Sequence, residues 1–147
     1  MRFALLLSLP LPMSAQFVMI ELRFEGVGCV SCVESMPERV RRIRGVESAT
    51  VDKEKGMLTL KLGSPNRVRL EQVRDAIEQD GTKARSARVV ARGLVSKEDG
   101  TWTLQPTGPP TKYSLDGDHW KPGDATVTGE VADLHPATGR LRIRAGP

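Results

Sequence analysis

The chain has little of what marks most enzymes, and no stretch long enough to cross a membrane. Its 147 residues hold two cysteines, two histidines and one tyrosine, and aromatics make up only 4%. Two cysteines are too few for the disulfide framework of a small secreted scaffold, and too few for a four-thiolate zinc site. The longest apolar run, Phe3 to Leu11, is interrupted by Pro10 and is far short of a bilayer span, so stable membrane insertion is not expected. Excess charge is also missing. Residues 17–87 carry 13 Lys and Arg against 11 acids, residues 88–147 carry 8 against 7, and the net charge is +4. Such a balance gives no electrostatic reason to expect a nucleic-acid partner. No Gly-rich phosphate loop, serine elbow, zinc-protease helix or paired-carboxylate motif is present, and Asp116-Gly117-Asp118 lacks the further ligands of a calcium loop and reads as a turn. A non-enzyme is expected.

What is present is concentrated at Cys29 and Cys32, in Gly26-Val27-Gly28-Cys29-Val30-Ser31-Cys32, where a strand pattern gives way to a helix pattern. Two thiols three positions apart at a helix start can close on one soft metal ion or on each other. Thiolate is both the ligand and the nucleophile, and the positive end of a helix favours it.

Alternating apolar residues from Phe17 to Phe24 predict a strand ended by Gly26. Val33, Met36, Val40 and Ile43 then recur at helical spacing, predicting a helix to Arg44 that is stopped by Gly45 and disturbed in its early turns by Pro37. Arg39, Arg41, Arg42 and Arg44 are expected on its solvated side. Val46–Asp52 and Met57–Leu62 read as a hairpin around Lys53-Glu54-Lys55-Gly56, and Leu70, Val73, Ala76 and Ile77 mark a second helix that stops before Gly81. Lys83–Val90 supplies a closing strand. The order strand, helix, strand, strand, helix, strand is the ferredoxin-like βαββαβ arrangement, an α+β fold.

Residues 17 to about 87 resemble the heavy-metal-associated domain of copper chaperones, of metal-pumping ATPases and of the periplasmic mercury-binding protein. The cysteine pair, Val33, Met36, Val40, Ile43, Gly45, Val46, Val51-Asp52, Ala76-Ile77 and Gly81 carry the resemblance. It implies linear or trigonal thiolate coordination at Cys29 and Cys32, and handover by ligand exchange to a metal-transporting ATPase or another CxxC protein. Cu(I) leads on ligand chemistry, with Hg(II) and Ag(I) as alternatives; Zn(II) is a poorer one, because it prefers four ligands. Two departures surround the site. Val27 stands where the family usually has a methionine packed under the metal loop, and Thr82-Lys83 stand where bacterial members tend to have tyrosine and eukaryotic chaperones a lysine that balances the site's charge. Val27 keeps an apolar role, and Lys83 is a candidate for the balancing charge. Glu34, just after the pair, could also approach it.

Two other functional readings compete. A CxxC beside a βαβ pattern also occurs in thiol-disulfide oxidoreductases, but no proline lies between Asn66 and Arg88 to flank such a site. The other is an interaction module with a weak or idle metal site.

Met1-Arg2, the apolar run to Leu11 and Ser14-Ala15 follow the order of a signal peptide over residues 1–15, implying a periplasmic or secreted protein; a start at Met13 or Met19 would imply a cytoplasmic one. Beyond Val90 helix periodicity vanishes. Five short strand patterns, Ala87–Ser96, Thr101–Gln105, Lys112–Leu115, Ala125–Val131 and Gly139–Ala145, suggest a small all-β barrel over residues 88–147, following the ferredoxin-like domain of residues 16–87. Its last strands resemble those of an OB-fold. Trp102, Tyr113 and Trp120 are expected to pack its core or rim, and His119 and His135 lack the neighbours of a metal site.

Overall fold

In the computed structural model, residues 16–27, 29–106 and 111–145 are described. The residues proposed as an export signal lie outside them. The first unit runs β1 (Gln16–Glu25), α1 (Val30–Arg41), β2 (Val46–Asp52), β3 (Met57–Leu62), α2 (Leu70–Glu78) and β4 (Lys83–Glu98). Its antiparallel sheet has the order β2-β3-β1-β4. The expected βαββαβ order is observed.

Alternation explains the strands. Ile20, Leu22 and Phe24 of β1 and Leu58, Leu60 and Leu62 of β3 are buried, as are Val33, Met36 and Val40 of α1 and Leu70, Val73 and Ile77 of α2. Each such aliphatic side chain contributes roughly 1.5–3 kcal/mol by leaving water. The β2–β3 turn needs Gly56, whose φ of +62° suits glycine. A Cβ there would also lie 2.7 Å from the Phe24 carbonyl oxygen.

Helix α1 corrects three expectations. It begins at Val30 and ends at Arg41, three residues before Arg44, and helical residues continue on both sides of Pro37. The chain turns out of the helix earlier because Ile43 N–H bonds to Val40 O and Val46 N–H to Ile43 O, with Gly45 at φ +105°. Arg39 does not join the solvated arginines. Its guanidinium is mostly buried and pairs with Asp80 at 2.7 Å, linking α1 to the segment after α2.

Strand β4 is 16 residues long and continues past both expected strand limits, Val90 and Ser96. Residue 87, where the two units were divided, falls inside it. From β4 the chain continues through β5 (Thr101–Gln105), β6 (Tyr113–Leu115), β7 (Gly123–Val131) and β8 (Arg142–Ala145). These pair in the order β4-β5-β6-β8-β7, and β7 returns to β4, so the five strands close on themselves. Of the pairings within that ring, β6–β8 alone is parallel.

On one edge of β4, pairing with β1 ends at Arg92 and pairing with β5 begins at Leu94. Gly93 stands between. A Cβ at Gly93 would lie 2.6 Å from the Gln105 carbonyl oxygen, so a side chain there would push β5 away.

Helix α2 joins the two units. Tyr113 of β6 is buried, accepts a hydrogen bond from Leu70 N–H at 3.3 Å and donates to Glu71 at 2.9 Å. Its ring meets Phe17 edge-on, with centroids 5.4 Å apart. Burial, and then the Glu71 carboxylate, push the phenol well above its ordinary range. Arg74 donates to the Leu134 carbonyl at 2.7 Å, and His135 lies 2.9 Å from Glu78. Trp102 and Trp120 are half-buried against the core, so all three aromatics of the second unit pack as expected.

Candidate metal centre

Strand β1 ends at Glu25 and α1 begins at Val30, so the loop between them carries the chemistry. Cys29 is the N-cap of α1 in an extended conformation, and its Sγ accepts the Cys32 N–H at 3.1 Å. The Ser31 hydroxyl lies 3.4 Å from the same sulfur. Cys29 is exposed and Cys32 half-buried, and Val30 between them is 73% exposed. The two Cα atoms are 5.2 Å apart and the sulfurs are joined as a disulfide. The structure therefore holds the oxidised pair.

Val27 is half-buried and packs against the core, keeping the apolar role expected of it. Gly28 lies outside the described residues. Lys83 is exposed and opposes Glu25 in the β1–β4 register. A Cβ on Gly26 would lie 4.0 Å from Lys83 Cγ, so the lysine stem runs beside the loop. Arg85, two residues on, pairs with Glu25. Glu34 turns elsewhere: its carboxylate holds Lys53 of the β2–β3 turn at 2.9 Å. Asp80, after α2, accepts the Thr82 N–H at 2.9 Å and the Arg39 guanidinium. Burial raises its carboxyl pKa, but hydrogen bonding from Thr82 and the Arg39 charge outweigh that and hold it below the ordinary value.

Among the described residues no three His, Cys, Asp or Glu side chains gather as a metal cluster. The donor set at the loop is two sulfurs. That suits a soft ion content with two thiolates and does not suit zinc, which would need two further ligands. His119 stacks on Trp120 with ring centroids 4.5 Å apart, and His135 faces Glu78. The sequence pointed to the cysteines; it did not single out Ser31, although its place within Cys29-Val30-Ser31-Cys32 was the available signal.

Over just under half its length the chain is similar to copper chaperones and to copper-binding ATPase domains. One such chain is the CopZ metallochaperone, 30% identical, covering 45% of this chain and 97% of that one, with a TM-score of 0.41. A putative copper-ion-binding protein from Bacillus anthracis str. Ames is 26% identical, over 49% of this chain and 100% of that one, with a TM-score of 0.42. The N-terminal domain of a potential copper-translocating P-type ATPase from Bacillus subtilis is 23% identical, over 47% of this chain and 85% of that one, also with a TM-score of 0.42. No family model and no curated protein matches the chain. Each of these similarities covers just under half of this chain. No helix among the described residues is long and apolar enough to cross a membrane.

Proposed function

We propose that the chain is a carrier of a soft metal ion, Cu(I) foremost, held by Cys29 and Cys32 and passed to a metal-transporting ATPase or another CxxC protein. The observation that carries this is the placement of the two sulfurs: an isolated pair, at an exposed helix start, with no third ligand beside it among the described residues. Such a site satisfies a two-coordinate ion and leaves it open to an incoming thiolate, which is what exchange between carriers requires. The disulfide must first be reduced, because only thiolate sulfur binds the ion. Lys83, whose stem runs beside Gly26, we read as offsetting the negative charge of a metal bound by two thiolates.

The disulfide itself favours a second reading, thiol-disulfide exchange. One experiment separates the two. Reduced protein is titrated with Cu(I) against a chromophoric chelator, and a disulfide-reduction assay is run in parallel. One Cu(I) per chain with no turnover is expected; turnover without Cu(I) binding would reverse the assignment.

The ring we read as an OB-like barrel, on the strength of its strand order and its single parallel pair. With its aromatics buried or packed and its charges balanced, it is not expected to bind single-stranded nucleic acid. Residues 1–15 we read as an export signal. N-terminal sequencing of protein recovered from cells tests that reading: a start near Gln16 is expected, and an unprocessed chain overturns it.

A further inference from the structure

The Cys29 sulfur receives two hydrogen-bond donors and the Cys32 sulfur receives none among the described residues. One donor is the Cys32 backbone N–H at 3.1 Å, and the other is the Ser31 hydroxyl at 3.4 Å. A disulfide sulfur carries no hydrogen, so the hydroxyl is the donor in that contact. Ser31 is exposed and has water available, yet it turns to the sulfur. Ser35, also exposed and one helical turn on, makes the ordinary bond to a backbone carbonyl, that of Cys32, at 3.1 Å.

We infer that Ser31 is a positioning residue of the metal site, its hydroxyl holding the Cys29 sulfur in place and offsetting its charge when an ion is bound. This rests on the metal-binding reading above. A monovalent cation between two thiolates would leave one net negative charge, and donors at the sulfur would add to any offset from Lys83. Donors aimed at the sulfur stabilise that charge in the bound state more than they stabilise a neutral thiol. Both donors fall on the exposed cysteine, so a bound ion would meet two unequal sulfurs, Cys29 being the one whose charge is stabilised.

The test uses reduced full-length protein with Ser31→Ala, Ser31→Thr and Ser35→Ala as the variants. Cu(I) affinity is measured by chelator competition, the thiolate-to-metal charge-transfer band is recorded with Hg(II), and thermal unfolding is followed without metal. Ser31→Ala is expected to weaken Cu(I) about 10-fold, at the low end of what losing a partner of a metal ligand costs, and to shift the band. Ser31→Thr should restore both, Ser35→Ala should change neither, and all four proteins should unfold alike. Unchanged affinity and band in Ser31→Ala overturns the inference, and so does an affinity loss accompanied by an equal loss of thermal stability. A wild-type protein that binds no Cu(I) defeats the functional reading instead, and this inference with it.

Discussion

Helices α1 and α2 hold equivalent places in the two βαβ halves of the first unit, but their N-termini are treated in opposite ways. At α1 the cap is a cysteine sulfur, the first turn carries no acid, and Val30 stands in solvent. At α2 the Arg69 N–H bonds to the Gln72 side chain, Glu71 sits in the first turn, and the Leu70 N–H bonds to the Tyr113 hydroxyl beneath the ring. Both ends present the same unsatisfied donors and the same positive pole. The chain seals one with its own Gln72 and with Tyr113 of the second unit, and leaves the other to sulfur. Architecture and chemistry are thus divided between two copies of one motif.

The comparison breaks most directly at the sulfurs. Cys29→Ser with Cys32→Ser should lower Cu(I) affinity by orders of magnitude, since a hydroxyl is a hard and mostly protonated substitute for thiolate. Unfolding of the metal-free reduced protein should stay cooperative, because Leu22, Val40, Leu60, Val73 and Ile77 are buried in the core. Undiminished Cu(I) affinity in that double variant would falsify the site.

Tyr113→Phe should give the reverse pattern. Leu70 N–H loses its acceptor and Glu71 its donor, at a cost of about 1–3 kcal/mol, read as a lower urea midpoint with Cu(I) affinity within about twofold of wild type. A drop in metal affinity would show that the two helix ends are not independent.

The Arg39–Asp80 pair, which ties α1 to the end of α2, should be sensitive to acid. The Asp80 pKa is lowered in the folded protein, so its contribution is present above the unfolded value of about 4 and is lost as pH falls through the folded value. Asp80→Asn should therefore cost roughly 1–2 kcal/mol at pH 7, as expected when a largely buried guanidinium loses its partner. The gap from wild type should narrow as pH falls below about 4 in urea melts. A gap constant with pH would mean that ionisation plays no part.

The smallest effect belongs to Lys83→Ala, a few-fold weakening of Cu(I) binding that shrinks as salt is added, because it alters only charge beside the loop. A loss as large as that of a cysteine variant would make the lysine part of the ligand set.

Local patterns carried the first unit well. The hairpin Val46–Asp52 and Met57–Leu62 needed only alternation and a glycine turn, and both strands are observed at those limits. The start of α1 was harder to read, because Val30 to Cys32 are exposed or half-buried and add little to an apolar stripe. Arg39 was read as solvated because its partner, Asp80, is 41 positions away, and no local spacing announces such a pair. Strand β4 was read as two overlapping strands, Lys83–Val90 and Ala87–Ser96, because each unit was expected to have a strand of its own and no local pattern announces one strand shared by both. Tyr113 was expected in a core, but its grip on α2 depends on a fold in which residues 70 and 113 meet. The cysteine pair was plain from spacing alone.

The shared strand also bears on how the protein is made. As the chain emerges from the ribosome, β1 can pair with β4 once residue 92 is out, but β7, which covers the opposite edge of β4, ends only at Val131. At about 5–20 residues per second, that edge stays bare for a few seconds. Bare edges invite pairing with other chains, and charged side chains are a common deterrent. Arg88 and Arg92 stand exposed along that stretch of β4. A pair of arginines that looks like ordinary surface in the finished molecule is thus placed to guard the nascent one.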